Sequence, residues 1–203
     1  MKSKTAPYPS FLYGFTGHAI VALALLAAST AASANTPLPI HDKWGGDFTL
    51  TDHYGTPMQL SDFSGKVVLL NFGYTHCPDV CPTTMFNMKR LMSQLGDDGA
   101  QVQVLFITLD PERDTPQRLQ SYVEYFNSGF VGLTGSADEI KHVADRYGMR
   151  YEKEGMASSL EYSIAHTGLI YLLDQQGRIR VFFKLNAPAE HIAQDVRLLL
   201  KQP

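Results

Sequence analysis

The pattern of hydrophobic and polar residues predicts alternating strands and helices. Two nearly unbroken apolar runs, KVVLLNFGY (66–74) and VQVLFITLD (102–110), are typical of strands that are buried on both faces. Between them, apolar residues recur at helical spacing from Val80 to Leu95 and stop before Gly96. Ahead of them, residues 48–60 alternate apolar and polar positions around a glycine-containing turn, which predicts a short hairpin.

The second half of the chain begins with two helix signatures. Thr115 and Pro116 form an N-cap and first-turn pair for a helix that runs to about residue 126. Ser136 is the predicted cap of a second helix, with Glu139 three residues later and Gly148 as the stop. Residues 166–174 and 178–184 then predict an antiparallel hairpin, and residues 189–201 a closing helix.

This order of elements predicts an α/β fold with a mixed central sheet, helices on both faces and an N-terminal β-hairpin. It matches a thioredoxin-like fold. In open sheets of this type, ligand sites gather beyond the carboxyl ends of the parallel strands. The stretch GYTHCPDVCP (73–82) follows the first long strand and therefore lies where such a fold would place a site.

The N-terminal segment has the layout of a secretory signal. Lys2 and Lys4 precede an apolar run from Ala19 to Ala28, and small residues end at Ala34. We expect residues 1–34 to be a cleaved signal peptide and residues 35–203 to be one exported domain, periplasmic or on the outer face of the cytoplasmic membrane. A second interpretation, an uncleaved membrane anchor, stays open because no Lys, Arg, Asp or Glu occurs between Lys4 and Asp42.

Charge excludes one class of partner. Removing the two lysines of the presequence from the 17 basic residues leaves 15 against 20 acidic residues, a net charge of −5. Nucleic-acid-binding proteins normally present a basic face. We therefore expect no nucleic-acid partner.

The only two cysteines, Cys77 and Cys81, are separated by three residues. A disulfide between them would close a ring of about five residues and stabilise the fold by roughly 2 kcal/mol on the chain-entropy model. A domain of this size buries enough apolar surface to fold without such a bridge. Thioredoxin-type enzymes have two intervening residues, so the spacing also departs from ordinary redox motifs. Low thiolate pKa values at a helix N-terminus serve redox exchange and metal ligation alike.

Two thiolates are soft donors that select copper(I), zinc or an iron–sulfur cluster, and a cluster usually needs four cysteines. One added imidazole would make the site tolerable to copper(II), and a zinc site with an open position is also allowed. His166 stands where a loop enters a predicted buried strand and is the preferred imidazole. His41 and His53 are expected in solvated loops, and Met85, Met88 and Met92 have the helical spacing of core residues rather than ligands.

The stretch DPERDTP (110–116) also leaves the carboxyl end of a buried strand. Its prolines and Thr115 are explained by a turn and a helix start. Asp110 and Asp114 are candidates for a role behind the cysteine site or facing a partner, and His76 could add positive charge beside the thiols.

With GYTHCPDVCPTTM, TLDPERDTP and AHTGLIYLLD, the chain resembles the Sco/SenC family of copper-binding assembly factors for cytochrome c oxidase. The resemblance implies copper, as Cu(I) or Cu(II), held by Cys77, Cys81 and His166. It implies delivery of copper to the dinuclear site of oxidase subunit II or another copper-accepting protein, after loading by an upstream donor. Many members have an acidic residue directly before the ligand histidine, where this chain has Ala165.

Two functions remain open at this point. The chain is a copper chaperone, or it is a thiol-disulfide reductase in which Cys77 and Cys81 keep the target cysteines reduced for metallation. A peroxidase is disfavoured, because Thr75 stands two residues before Cys77 without the proline of the peroxiredoxin frame.

Overall fold

A seven-stranded mixed sheet forms the centre of the protein in a computed structural model that describes residues 37–155 and 162–202. The strands lie in the order β2-β1-β5-β4-β3-β8-β9, and β6 and β7 form a separate two-stranded sheet. The strand bounds are β1 Thr49–Asp52, β2 Pro57–Gln59, β3 Val67–Gly73, β4 Val102–Thr108, β5 Val131–Thr134, β6 Tyr151–Glu154, β7 Ser163–His166, β8 Leu169–Leu173 and β9 Ile179–Lys184.

The three central strands run parallel. β3 pairs with β4 in a register that sets Val67 opposite Val102 and Gly73 opposite Thr108, and β4 pairs with β5. β1 joins β5 antiparallel, and β8 joins β3 antiparallel. Gly73 and Thr108 therefore end their strands at the same edge of the sheet, and the cysteine loop and the 110–114 loop both start there.

Helices cover both faces of the sheet. Their bounds are α1 Val80–Leu95, α2 Pro116–Phe126, α3 Ala137–Arg146 and α4 Ala189–Leu200. Val68, Leu70 and Phe72 of β3 belong to one apolar core with α3, whereas Val67 and Leu69 belong to a second core with α1, α2 and α4. This alternation along one strand gives two apolar faces, as the unbroken hydrophobic run predicts.

The predicted helix boundaries are confirmed in chemical detail. Thr115 accepts a hydrogen bond from the Arg118 N–H, with Pro116 at the first helical position. Ser136 and Glu139 form a reciprocal capping box, and Gly148 follows α3 with a φ of +65° that favours glycine. Met85 and Met88 are fully buried and Met92 packs at the edge of the same core, as their spacing predicts.

Four strands depart from the prediction. The hydrophobic pattern predicts no strand between α2 and α3, but β5 lies there in the sheet with only four residues. It also lacks β6 and β7, because three of the four residues of β6 are exposed and polar and give no alternating pattern. The predicted strand from residue 166 begins instead at Leu169, and His166 is the last residue of β7.

The predicted signal peptide lies outside the residues that the structure describes. Within residues 37–155 and 162–202, no helix has the length and apolar character that crossing a membrane would require. His53 was expected in solvent but is 3% exposed. Its Nδ1 accepts the N–H of Gly132, which draws this turn onto β5.

Candidate metal and redox site

The two cysteines lie at the junction of β3 and α1. Cys77 is in the connecting loop and Cys81 is the second residue of α1, whose N-cap is Asp79. Both are reduced, and they are 9% and 2% exposed. Gly73 makes room for Cys81, because a Cβ at residue 73 would lie 2.9 Å from Sγ of Cys81. The Cys81 thiol, in the first turn of α1, therefore packs directly against the end of β3.

The two thiols have different electrostatic surroundings. The pKa of Cys77 falls to about 5, because the Cys81 thiol donates a hydrogen bond to its sulfur and backbone N–H groups at the start of α1 also point at it, against the opposing effect of burial. The same hydrogen bond, together with burial, holds the pKa of Cys81 well above its ordinary value. Cys77 is therefore a thiolate at neutral pH, and Cys81 is a protonated donor to it.

Asp114 holds the loop that carries the cysteines. Its side chain is fully buried, and it accepts the Thr75 N–H at 2.9 Å and the Thr75 hydroxyl at 2.6 Å. The Thr108 hydroxyl donates a third bond at 2.6 Å. The candidate role of Asp114 behind the cysteine site is consistent with these contacts, since Thr75 is two residues from Cys77.

Asp110 faces a different segment. It is also fully buried, and it accepts hydrogen bonds from Nε of Arg113 and from the Tyr162 hydroxyl, the latter at 2.5 Å. Tyr162 is the residue directly before β7. Asp110 is therefore engaged with β7 rather than with the thiols.

His76 is exposed on the outside of the cysteine loop. Its Nδ1 lies 3.6 Å from Oδ1 of Asp114 and 3.4 Å from the Thr75 hydroxyl. Within the described parts of the chain, His76, Asp110 and Asp114 are the only set of three potential ligands whose atoms all come within 4.8 Å of one another. The carboxylates of this set already accept hydrogen bonds from Thr75, Thr108, Arg113 and Tyr162, so it does not offer a vacant cation site.

His166 is half-buried at the end of β7, opposite Tyr151 of β6. Its Nδ1 is 3.1 Å from the carbonyl oxygen of Thr167. A carbonyl only accepts hydrogen bonds, so in the neutral imidazole this contact places the proton on Nδ1 and leaves Nε2 as the atom that can bind a metal. Ala165 is exposed beside it and places no carboxylate on the imidazole.

The structure brings Cys77 and Cys81 together but does not bring His166 to them. Their three ligand atoms do not form a set within 4.8 Å in the part of the chain that is described. One link between β7 and the cysteines is Ile164, which shares a core with both of them and whose N–H donates to the Tyr74 hydroxyl at 3.2 Å. The donor set suits a soft metal, and coordination by all three residues requires the His166 imidazole to come closer to the two sulfurs.

Arg113 and Tyr162 are the residues of this region that the sequence interpretation missed. A charged residue in a turn such as DPERD normally indicates a solvated side chain, yet the Arg113 side chain is only 10% exposed. The one available signal was its position between two aspartates that both follow a buried strand.

Comparison with known proteins decides the family. The SCO1/SenC family model matches residues 38–201. The chain belongs to the SCO1/SenC family. The mitochondrial SCO2 homolog of Bos taurus is 40% identical over 154 residues, which are 75% of this chain and 58% of that relative. The SCO2-like protein of Rickettsia felis is 35% identical over 153 residues, 75% of either chain. The match thus spans little more than half of the Bos taurus relative.

Solved SCO1/SenC structures confirm the thioredoxin-like fold. The copper-bound structure of Bradyrhizobium japonicum ScoI has a TM-score of 0.71 and 39% identity, over 77% of this chain and 99% of that one. Yeast Sco1 with copper bound has a TM-score of 0.72 and 29% identity, over 79% and 90% of the two chains. Both relatives hold copper in a fold that this chain shares.

Proposed function

We propose that this SCO1/SenC protein is a copper carrier. It binds one copper ion through Cys77, Cys81 and His166 and passes it to the dinuclear site of cytochrome c oxidase subunit II or to another copper-accepting protein. The observation that carries this proposal is the pair of adjacent, reduced, buried thiols, one of them with a pKa of about 5. The copper-bound relatives support the choice of metal.

The protein contributes three things to copper binding. Cys77 offers a thiolate without first losing a proton, and Cys81 releases its proton as the metal takes the place of the hydrogen bond. Burial of both sulfurs keeps water from the soft ligands. His166 offers Nε2, and its addition makes the site suitable for Cu(II) as well as Cu(I).

Transfer to a partner proceeds by ligand exchange. Cys77 is the more exposed of the two cysteines, so a thiolate or imidazole of the acceptor reaches the metal first on that side. His166 and then the cysteines release the ion as acceptor ligands replace them. We place the protein outside the cytoplasm, either free in the periplasm after cleavage at residue 34 or held at the outer face of the membrane by an uncleaved N-terminus. An upstream donor supplies the copper.

Metal analysis of the reduced protein tests the carrier proposal. Wild type is expected to retain one copper per chain after addition of Cu(I) and gel filtration, whereas Cys77→Ser and Cys81→Ser retain little. His142→Ala is the matched control, because His142 is an exposed histidine on α3 outside the site. Retention equal to wild type in a variant that carries both Cys77→Ser and Cys81→Ser would overturn the proposal.

A thiol-disulfide reductase is the second candidate, and the unequal thiol pKa values favour it. The Cys77 thiolate would attack a target disulfide, form a mixed disulfide and release one target thiolate. Cys81 would then lose its proton and attack Cys77, which releases the second target thiol and leaves a Cys77–Cys81 disulfide. Two electrons pass to the target, and an external thiol must restore the pair.

The carrier and the reductase functions predict different results for a His166 variant. A reductase has no need of an imidazole, so His166→Ala would still reduce an oxidised oxidase fragment stoichiometrically, and Cys81→Ser would trap the mixed disulfide. If wild type retains copper but does not reduce the fragment, the reductase function is excluded and only the carrier function stands.

A further inference from the structure

The loop that joins β4 to α2 makes contacts in two directions. At its C-terminal end, both carboxylate oxygens of Asp114 hold Thr75 of the cysteine loop, with O···N and O···O distances of 2.9 and 2.6 Å. A backbone hydrogen bond adds a second contact between the two loops, because the Leu109 N–H donates to the Gly73 carbonyl at 2.7 Å. The cysteine loop is therefore fixed to residues 109–114 at two points.

Through Asp110 and Arg113, the same loop also holds the start of β7. The Arg113 guanidinium lies 3.6 Å from the Tyr162 ring centroid, and its Nη1 donates to the Tyr162 carbonyl at 3.1 Å. Asp110 accepts from both Arg113 and the Tyr162 hydroxyl. Ring, hydroxyl and carbonyl of one tyrosine are thus all held by two residues of the loop.

β7 needs such an anchor. Among the strands of residues 37–155 and 162–202, it pairs only with β6, and an isolated two-stranded sheet is marginally stable in water. Tyr162, Ile164 and His166 alternate along the extended segment and share one face, which Ile164 buries in the core. A slip of one residue would turn this whole face to the opposite side, His166 included.

We propose that Arg113 and Tyr162 are positioning residues that lock the register of β7 to the cysteine loop, and so set where the His166 imidazole stands relative to Cys77 and Cys81. The Arg113 side chain is nine-tenths buried and Asp110 wholly buried, so the contact is shielded from solvent. The inference deepens the proposed copper site and rests on His166 being its third ligand; the locking of β7 itself does not depend on copper.

Amide hydrogen exchange of the copper-free protein tests the lock. Tyr162→Leu is expected to speed exchange at Ile164, Ala165 and His166 by at least about tenfold, with a smaller effect for Tyr162→Phe, which loses only the hydroxyl. Lys153→Met is the matched control, because Lys153 lies 4.8 Å over the Tyr162 ring but pairs with exposed Glu112 instead of Asp110. Unchanged exchange in Tyr162→Leu, or an equal change in Lys153→Met, would overturn the proposal.

Copper(II) binding supplies a readout that general destabilisation would not give. Two variants weaken the contact: Tyr162→Leu removes the ring and hydroxyl, and Arg113→Lys removes the forked N–H donors of the guanidinium. In both we expect a shifted thiolate-to-copper(II) absorption band and release of copper to a chelator at least about tenfold faster than in wild type. Lys153→Met should keep the wild-type band and rate. An absorption band and a copper release rate equal to those of wild type in both Tyr162→Leu and Arg113→Lys would overturn the inference. If wild type itself shows no His166-dependent band while the exchange effects appear, the proposed ligand set fails and the lock stands.

Discussion

The backbone N–H of Cys81 donates a hydrogen bond to Sγ of Cys77 across 3.4 Å, at the start of α1. The Cys81 thiol points at the same sulfur, so one cysteine stabilises the other as a thiolate. The two thiols are therefore unequal before any metal or disulfide is present.

Selective alkylation should report this inequality. At pH 6 to 7, iodoacetamide is expected to modify Cys77 well before Cys81, because Cys77 has a pKa of about 5 and the Cys81 pKa is raised. Cys81→Ala should raise the pKa of Cys77, since it removes the largest cause of the depression. Rates for each residue follow from mass spectrometry across a pH series, and equal reactivity of both thiols would contradict the structure.

Stability of the reduced protein should depend on pH through Cys77. Its pKa is lower in the folded chain than in the unfolded chain, where a thiol titrates at about 8.5. Its contribution is therefore fully present above the unfolded value and is lost as the pH falls toward 5. Cys81 has the opposite shift, so its contribution is lost only as the pH rises beyond the ordinary thiol range.

Urea unfolding at pH 5.5 and pH 8 under reducing conditions measures this dependence. The stability advantage of wild type over Cys77→Ser is expected to be larger at pH 8 than at pH 5.5. An advantage that stays constant or shrinks toward pH 8 would show that the Cys77 thiolate is not favoured by folding.

Gly73 should matter for the site as well as for stability. A Cβ at residue 73 would lie 2.9 Å from both Cys81 Sγ and a ring carbon of Phe106, so Gly73→Ala is expected to cost about 1–3 kcal/mol and to displace the thiol. Gly132→Ala is the matched control in β5, where the neighbours at 3.2 Å belong to Leu119 and Val123 of α2. Alkylation of Cys81 should change in the first variant only, and an unchanged rate in Gly73→Ala would contradict this packing.

The methionines of α1 should be dispensable for copper. Replacing Met85, Met88 and Met92 by leucine preserves apolar volume and is expected to cost less than about 1.5 kcal/mol for each change. Copper retention should equal that of wild type. A loss of copper without a loss of stability would instead identify a thioether ligand.

Much of this architecture follows from hydrophobic pattern and capping chemistry. The runs that form β3 and β4 and the signatures at Thr115 and Ser136 give the parallel centre of the sheet and its helices. The pattern also places Cys77 and Asp114 at one edge, because both follow parallel strands. It does not reveal β6 and β7, which have only four residues each and are held by contacts from elsewhere in the chain.

The same limit applies to the site. The sequence predicts two cysteines beyond β3, but the lowered pKa of Cys77 depends on where the Cys81 side chain points. The buried Arg113–Tyr162 contact joins residues 49 positions apart, so no local motif contains it. The position of His166 depends on that contact, and a local pattern could not give it.

Electron paramagnetic resonance of the copper(II)-loaded protein shows whether Cys77, Cys81 and His166 together hold copper. We predict sulfur and nitrogen ligation in wild type and in the surface control His142→Ala, with the nitrogen signature and the thiolate-to-copper absorption lost or greatly weakened in His166→Ala. A His166→Ala spectrum and affinity identical to those of wild type would contradict the account and remove His166 from the site.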